Sequence, residues 1–129
     1  MSDAVVVDTS AVMAILKWDA GAERLIEVIG RNRPHMSGGT LAELHIAAAA
    51  RGLAGPLRDF MAAAGMAIVP VDAAMARRVG DAYAAWGKGV HPAGLNFGDC
   101  FAYALAQSLG APLLYVGADF TATDCRAAL

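Results

Sequence analysis

The sequence is short of several things. Of its 129 residues, 17% are charged, 7% are aromatic and only two are cysteine. Cys100 and Cys125 form no CxxC pair and no ligand spacing with the three histidines, so a zinc site is not expected. A cytoplasmic protein without disulfides is the simplest expectation. The net charge of −2 shows no basic bias, and nothing in the bulk electrostatics announces nucleic acid. Long apolar runs are missing too. The longest, Phe60 to Val71, is interrupted by Pro70 and falls short of the ~20 residues a bilayer needs. No basic region precedes the first apolar run, and Asp3 and Asp8 stand where a signal peptide avoids acids.

What is present is small and apolar. Hydrophobic residues make up 57% of the chain, which excludes disorder, and 30 of them are alanine, a strong helix former. The length suits one domain, residues 1–129. A β-branched run, Ala4 to Val7, reads as a strand buried on both faces and ending at Asp8. A helix from about Ser10 to Leu16 follows. Ala22, Leu25, Ile26 and Ile29 then form one apolar helical stripe, stopped by Gly30. A short strand is expected at Pro34 to Ser37 and a helix from Thr40 to about Ala50. Pro56 opens another helix, with Leu57, Phe60, Met61 and Ala64 as its stripe. Ala67 to Val71 reads as a second buried strand. Beyond Asp72, a helix is expected to pack Ala76, Val79, Gly80 and Tyr83 inward. A loop from Gly87 to Leu95 leads to an almost wholly apolar helix, Gly98 to Leu109, and Leu113 to Val116 is the last clear strand. The rest is loop with room for one more short element. Strands alternating with helices give an α/β fold: three layers, α/β/α, around a mostly parallel sheet of about four to five strands.

Only three glutamates and nine aspartates are available, and four of these stand out: Asp8, Glu43, Asp99 and Asp119. Each has a local explanation. Asp8 caps a helix, Thr40 and Glu43 fit a capping box, Asp99 sits in a first helical turn, and Asp119 suits an Asx turn. Their joint placement suggests something else. Asp8 and Asp119 follow the carboxyl ends of strands, and Glu43 and Asp99 open helices. In a parallel sheet those positions share the edge where open α/β sheets bind ligands. No Lys or Arg lies within four residues of any of the four. Gathered acids without cations repel one another, and a hard divalent ion neutralises them best; all-oxygen ligation selects Mg²⁺ or Mn²⁺. The chemistry that follows is phosphodiester or phosphoryl hydrolysis.

The sequence resembles the PIN-domain ribonucleases, in particular the VapC toxins of bacterial toxin–antitoxin pairs. The resemblance rests on Val6-Val7-Asp8-Thr9-Ser10-Ala11, on Ser37-Gly38-Gly39-Thr40-Leu41-Ala42-Glu43, and on Lys88 to Ala104 around Asn96-Phe97-Gly98-Asp99. It also rests on Pro112 to Phe120. It implies a Mg²⁺-dependent endoribonuclease that cleaves structured RNA such as tRNA or rRNA. Asp8, Glu43, Asp99 and Asp119 would be the catalytic, metal-holding acids, with Thr9 and Ser10 orienting Asp8 or a water. A homodimer inhibited by a cognate VapB-type antitoxin is the implied assembly. Many relatives carry Lys-Gly-Asn/Asp-Asp-Phe near the end, where this chain has Val116-Gly117-Ala118-Asp119-Phe120. A possible phosphate contact is lost there, and Asp119 is left as the fourth acid by itself.

Two other readings stay open. An acid-pocket phosphohydrolase or phosphoacceptor could use Asp8 as nucleophile, although Ser10 stands where Asp-x-Asp enzymes have their second acid. A catalytically inactive PIN-like binding module would keep the acids for structure alone. His45 points about 200° away from Glu43 on a helix and reads as a surface residue. His91 reads as a turn residue and Cys100 as core. Arg31, Arg33, Arg77, Arg78 and Lys88 are available for phosphate, but none is singled out as an RNA contact.

Overall fold

A computed structural model describes residues 3–129. The chain runs β1 (Ala4–Val7), α1 (Thr9–Leu16), α2 (Ala22–Arg31), β2 (Arg33–Ser37), α3 (Gly38–Ala50), α4 (Ala54–Ala64), β3 (Ala67–Val69), α5 (Ala73–Trp86), α6 (Phe97–Leu109) and β4 (Leu113–Leu114). The four strands form one sheet in the order β3-β2-β1-β4, and every pairing is parallel. Near the carboxyl terminus, Ala127 makes a parallel bridge to Leu113 and extends the β4 edge by one short element.

Alternation along β1 divides the core. Val5 and Val7 face a cluster with Ala11, Val12, Leu25, Ile29, Met36, Leu44 and Leu57, drawn from α1 to α4 and β2. Val6 faces the opposite cluster, with Val79, Leu95, Ala102, Leu105 and Leu113, drawn largely from α5 and α6. The result is the expected α/β/α arrangement. Successive strands go outward from β1 to β2 and β3, and the chain then returns to place β4 on β1's other side. Such a reversal is where open α/β sheets place a binding crevice, here at the carboxyl ends of β1 and β4.

Several local expectations differ from the structure. β3 is an edge strand, and Ile68 is 40% exposed, so it is not buried on both faces. The α5 face turned inward is Val79 and Ala82, flanked by Met75 and Trp86; Ala76 and Gly80 are exposed, as is Tyr83. In so alanine-rich a helix the apolar period is weak, and the face was read one position off. Ile26 is likewise exposed on α2, and Gly30 lies within that helix. α3 starts two residues before Thr40, because Ser37 is its cap and accepts a bond from the Gly39 amide at 3.2 Å. Thr40 is therefore a buried residue of the first turn, and its hydroxyl has no partner.

Candidate acidic site

Three helices begin at the crevice. Asp8 caps α1: its Oδ2 accepts from the Ser10 amide at 3.0 Å and from the Ser10 hydroxyl at 2.6 Å. The same hydroxyl accepts from the Val116 amide at 3.0 Å and so ties the segment after β4 to the start of α1. The other Asp8 oxygen, Oδ1, is buried without a partner. An unpartnered carboxylate oxygen in a buried place is costly, which marks it as a candidate ligand atom.

Asp99 reaches the crevice from α6. Asn96 caps that helix in a reciprocal box: the Asp99 amide donates to Asn96 Oδ1 at 2.8 Å, and the Asn96 amide donates to Asp99 Oδ2 at 3.1 Å. This box holds one Asp99 oxygen in place and fixes the direction of the other. Sequence reading placed Asp99 in the first turn but did not identify Asn96 as its partner, although an Asn three residues before an Asp is a readable sign.

Glu43 is not part of a capping box, because Thr40 is not the cap. Its Oε1 instead accepts from the Thr9 hydroxyl at 2.6 Å, joining α3 to α1. The Thr9 hydroxyl thus orients Glu43, while the Thr9 backbone joins Ser10 in holding Asp8. The Glu43 carboxylate lies against Gly98, where an added Cβ would sit 1.9 Å from Oε2. Gly39, on α3, meets Phe101 of α6 in the same way, with an added Cβ 2.2 Å from the ring. Two glycines therefore let α3 and α6 approach closely and bring Glu43 beside the start of α6. Asp119 is exposed, with no hydrogen bond to its carboxylate among the described residues. No Asx turn accounts for it.

The electrostatics tie the four acids together. Burial pushes the Asp99 carboxyl up to about 7; the Asn96 amide pulls the other way, and the charges of Asp119, Asp8 and Glu43 add to the rise. Burial also raises Asp8, opposed by its bonds to Ser10 and assisted by the charge of Glu43. Each of the four is thus within electrostatic reach of another. Among the described residues no three His, Cys, Asp or Glu side chains form a closed ligand group. The donor set is all oxygen, with a buried unpartnered atom and no cation paired to it. Those features fit a hard divalent ion.

The remaining candidates have other roles. His45 is exposed. His91 Nδ1 accepts from the Ala93 amide at 3.0 Å, and its ring packs edge-on against Trp86 at 4.8 Å, a turn role. Cys100 is fully buried, and its thiol is pushed up to about 11 by burial and then by the Asp99 charge. No described helix is long and apolar enough to cross a membrane.

Comparison with known proteins identifies the family and the fold. Residues 5–124 match the family model described as PIN domain. A VapC ribonuclease of Mycobacterium bovis is 41% identical over 96% of this chain and 98% of its own. Ribonuclease VapC of Mycolicibacterium smegmatis is also 41% identical, over 95% and 98%. Among solved structures, VapC20 of Mycobacterium tuberculosis, described as a Sarcin-Ricin loop cleaving toxin, superposes with a TM-score of 0.74. That match covers 94% of this chain and 95% of the other at 17% identity. VapBC2 of Rickettsia felis, bound to a DNA fragment from its promoter, gives 0.72 over 96% of both chains at 18% identity. With its sheet order, its acid-lined crevice and relatives matched end to end, the chain belongs to the PIN-domain family and, within it, to the VapC ribonucleases.

Proposed function

We propose that this chain, acting as one domain over residues 1–129, is a divalent-metal-dependent endoribonuclease and the toxin of a toxin–antitoxin pair. The observation that carries the reading is the burial of Asp8 and Asp99 in mutual electrostatic reach, with Asp8 Oδ1 unpartnered. Asp8 and Asp99 would hold Mg²⁺ or Mn²⁺, and Glu43 and Asp119 would complete the acidic set. When bound, such an ion supplies positive charge to a phosphodiester and acidifies water at neutral pH.

The protein's own residues do the rest. Ser10 fixes the Asp8 carboxylate through Oδ2 and leaves Oδ1 without a partner among the described residues. Asn96 does the same for Asp99, and Thr9 does so for Glu43. With a net charge of −2, the chain has no bulk positive field, and bound cations would supply local attraction for a polyanion. Structured RNA, tRNA or rRNA, is the substrate class. A cognate VapB-type antitoxin as inhibitor and a homodimer in the cytoplasm complete the reading; the antitoxin partner is supported by the toxin–antitoxin assemblies among the structural neighbours.

The direct test is incubation of antitoxin-free protein with total RNA. Cleavage is expected with Mg²⁺ or Mn²⁺ and none with excess EDTA. Intact RNA under every metal condition would overturn the activity. Gly98→Ala supplies a finer check. Its methyl group would push the Glu43 carboxylate off Thr9 while leaving α6 at least as helical. Cleavage is expected to fall about tenfold, in the range seen for groups that orient a metal ligand, with melting shifted by only a few degrees. Unchanged cleavage would show that Glu43 has no part in it.

A further inference from the structure

The segment after β4 carries Asp119 and makes few attachments to the body of the protein. It leaves the sheet at Val116, held by Ser10, and rejoins it at Arg126, whose carbonyl accepts from the Leu113 amide at 2.8 Å. Between these points most hydrogen bonds are internal: Thr121 to the Ala118 carbonyl, Thr123 to the Phe120 carbonyl, and Cys125 to both Thr123 and Phe120. Among the described residues, Cys125 packs against the buried cluster of α5 and α6, and two further side chains reach back. One is Phe120, 2% exposed and packed on Tyr115 at 5.1 Å. The other is Asp124, which accepts from the Tyr103 hydroxyl and from Gln107 Nε2, the latter at 3.2 Å.

Tyr103 stands on α6, one helical turn beyond Asp99, and is 7% exposed. Its hydroxyl also accepts from Trp86 Nε1 at 2.9 Å, and Trp86 carries the His91 ring. Trp86 and His91 bound the loop that leads into Asn96 and Asp99. One hydroxyl therefore joins α5, α6 and the segment of Asp119. Apolar packing alone would not require it, because phenylalanine fills the same space.

We propose that Tyr103 and Asp124 form a latch that positions Asp119 against Asp99, making Tyr103 a positioning residue for metal binding. The proposal rests on the metal-dependent reading above. The geometry supports it from both ends. Phe120, the neighbour of Asp119, is buried in one cluster with Cys100 and Tyr103 of α6, so the segment is held close to that helix. Among the described residues, the Asp119 carboxylate has no hydrogen bond that would hold it there. Phe120 fixes the backbone next to it, and the latch fixes the far side of the turns that follow.

The test combines Mn²⁺ titration by calorimetry with hydrogen exchange, using Tyr103→Phe, Asp124→Ala, Asp124→Asn and Asp119→Ala. Tyr103→Phe and Asp124→Ala should each weaken Mn²⁺ binding about fivefold, below the effect of removing a residue in direct contact with a ligand. Asp124→Asn keeps an oxygen acceptor for both donors and should restore affinity. In the Asp119→Ala background, Tyr103→Phe should cost nothing more, because the latch acts through Asp119. The Thr121 and Thr123 amides should exchange faster in Tyr103→Phe with or without metal. Equal losses in both backgrounds, or unchanged Mn²⁺ affinity in Tyr103→Phe, would overturn the proposal. If the parent protein bound no Mn²⁺, the metal reading would fall on its own; unchanged exchange at Thr121 and Thr123 would separately remove the latch.

Discussion

Asp8→Asn is expected to lower RNA cleavage by about 10³-fold or more, a loss of several kcal/mol of transition-state stabilisation. The variant should fold. Asparagine is as good a helix cap as aspartate, and its side-chain oxygen can still accept the Ser10 amide. What disappears is the negative charge at a buried oxygen that no protein group satisfies. The informative measurement is cleavage together with melting temperature. Lost cleavage with an unchanged or higher melting temperature identifies a ligand, whereas parallel loss of both identifies a cap. Cleavage at the parent rate would remove Asp8 from the chemistry altogether.

Asp99→Asn should stabilise the metal-free protein while abolishing activity. The folded protein holds the Asp99 proton up to about pH 7, whereas the unfolded chain releases it near the ordinary 3.8. The stability this gives is complete below about pH 4 and is lost as the pH rises through about 7. Asparagine has no proton to lose and keeps an acceptor for the Asn96 amide. The difference between variant and parent should therefore be absent near pH 4 and largest above pH 7, on the order of 2–4 kcal/mol. Urea unfolding of chelator-treated protein at pH 5 and pH 8 reads it directly. Adding Mn²⁺ should stabilise the parent and leave Asp99→Asn unaffected. A variant less stable than the parent at pH 8 would mean that the capping role of the carboxylate outweighs its burial.

The parts of the fold that could be read from sequence are those where one local signal dominates. The run Ala4 to Val7 has no competing reading, and Asp8 directly behind it is placed by the strand's end. Gly110 closes α6 clearly. Where several weak signals compete, contacts distant in sequence decide. Two consecutive glycines before Thr40 look like a loop, yet they are helical, capped by Ser37, and a side chain at Gly39 would collide with Phe101 of α6. Thr40 and Glu43 match a capping box in spacing, but Ser37 takes the cap and Thr9, 34 residues away, takes Glu43. The acids were legible as a group because they lack nearby cations and fall at strand ends. Tyr103 and Asp124 were not, since a tyrosine in an apolar helix reads as core until its hydroxyl is seen to have partners on both sides.

The close approach of α3 and α6 has a consequence for how this family varies. Gly39 and Phe101 share one volume, and Gly98 and Glu43 share another. Neither member of a pair can grow unless its counterpart shrinks or turns aside. Aligned relatives should therefore show covariation, with a bulkier residue at the first position accompanied by a slimmer one opposite, and drift at position 98 should follow the acid at 43.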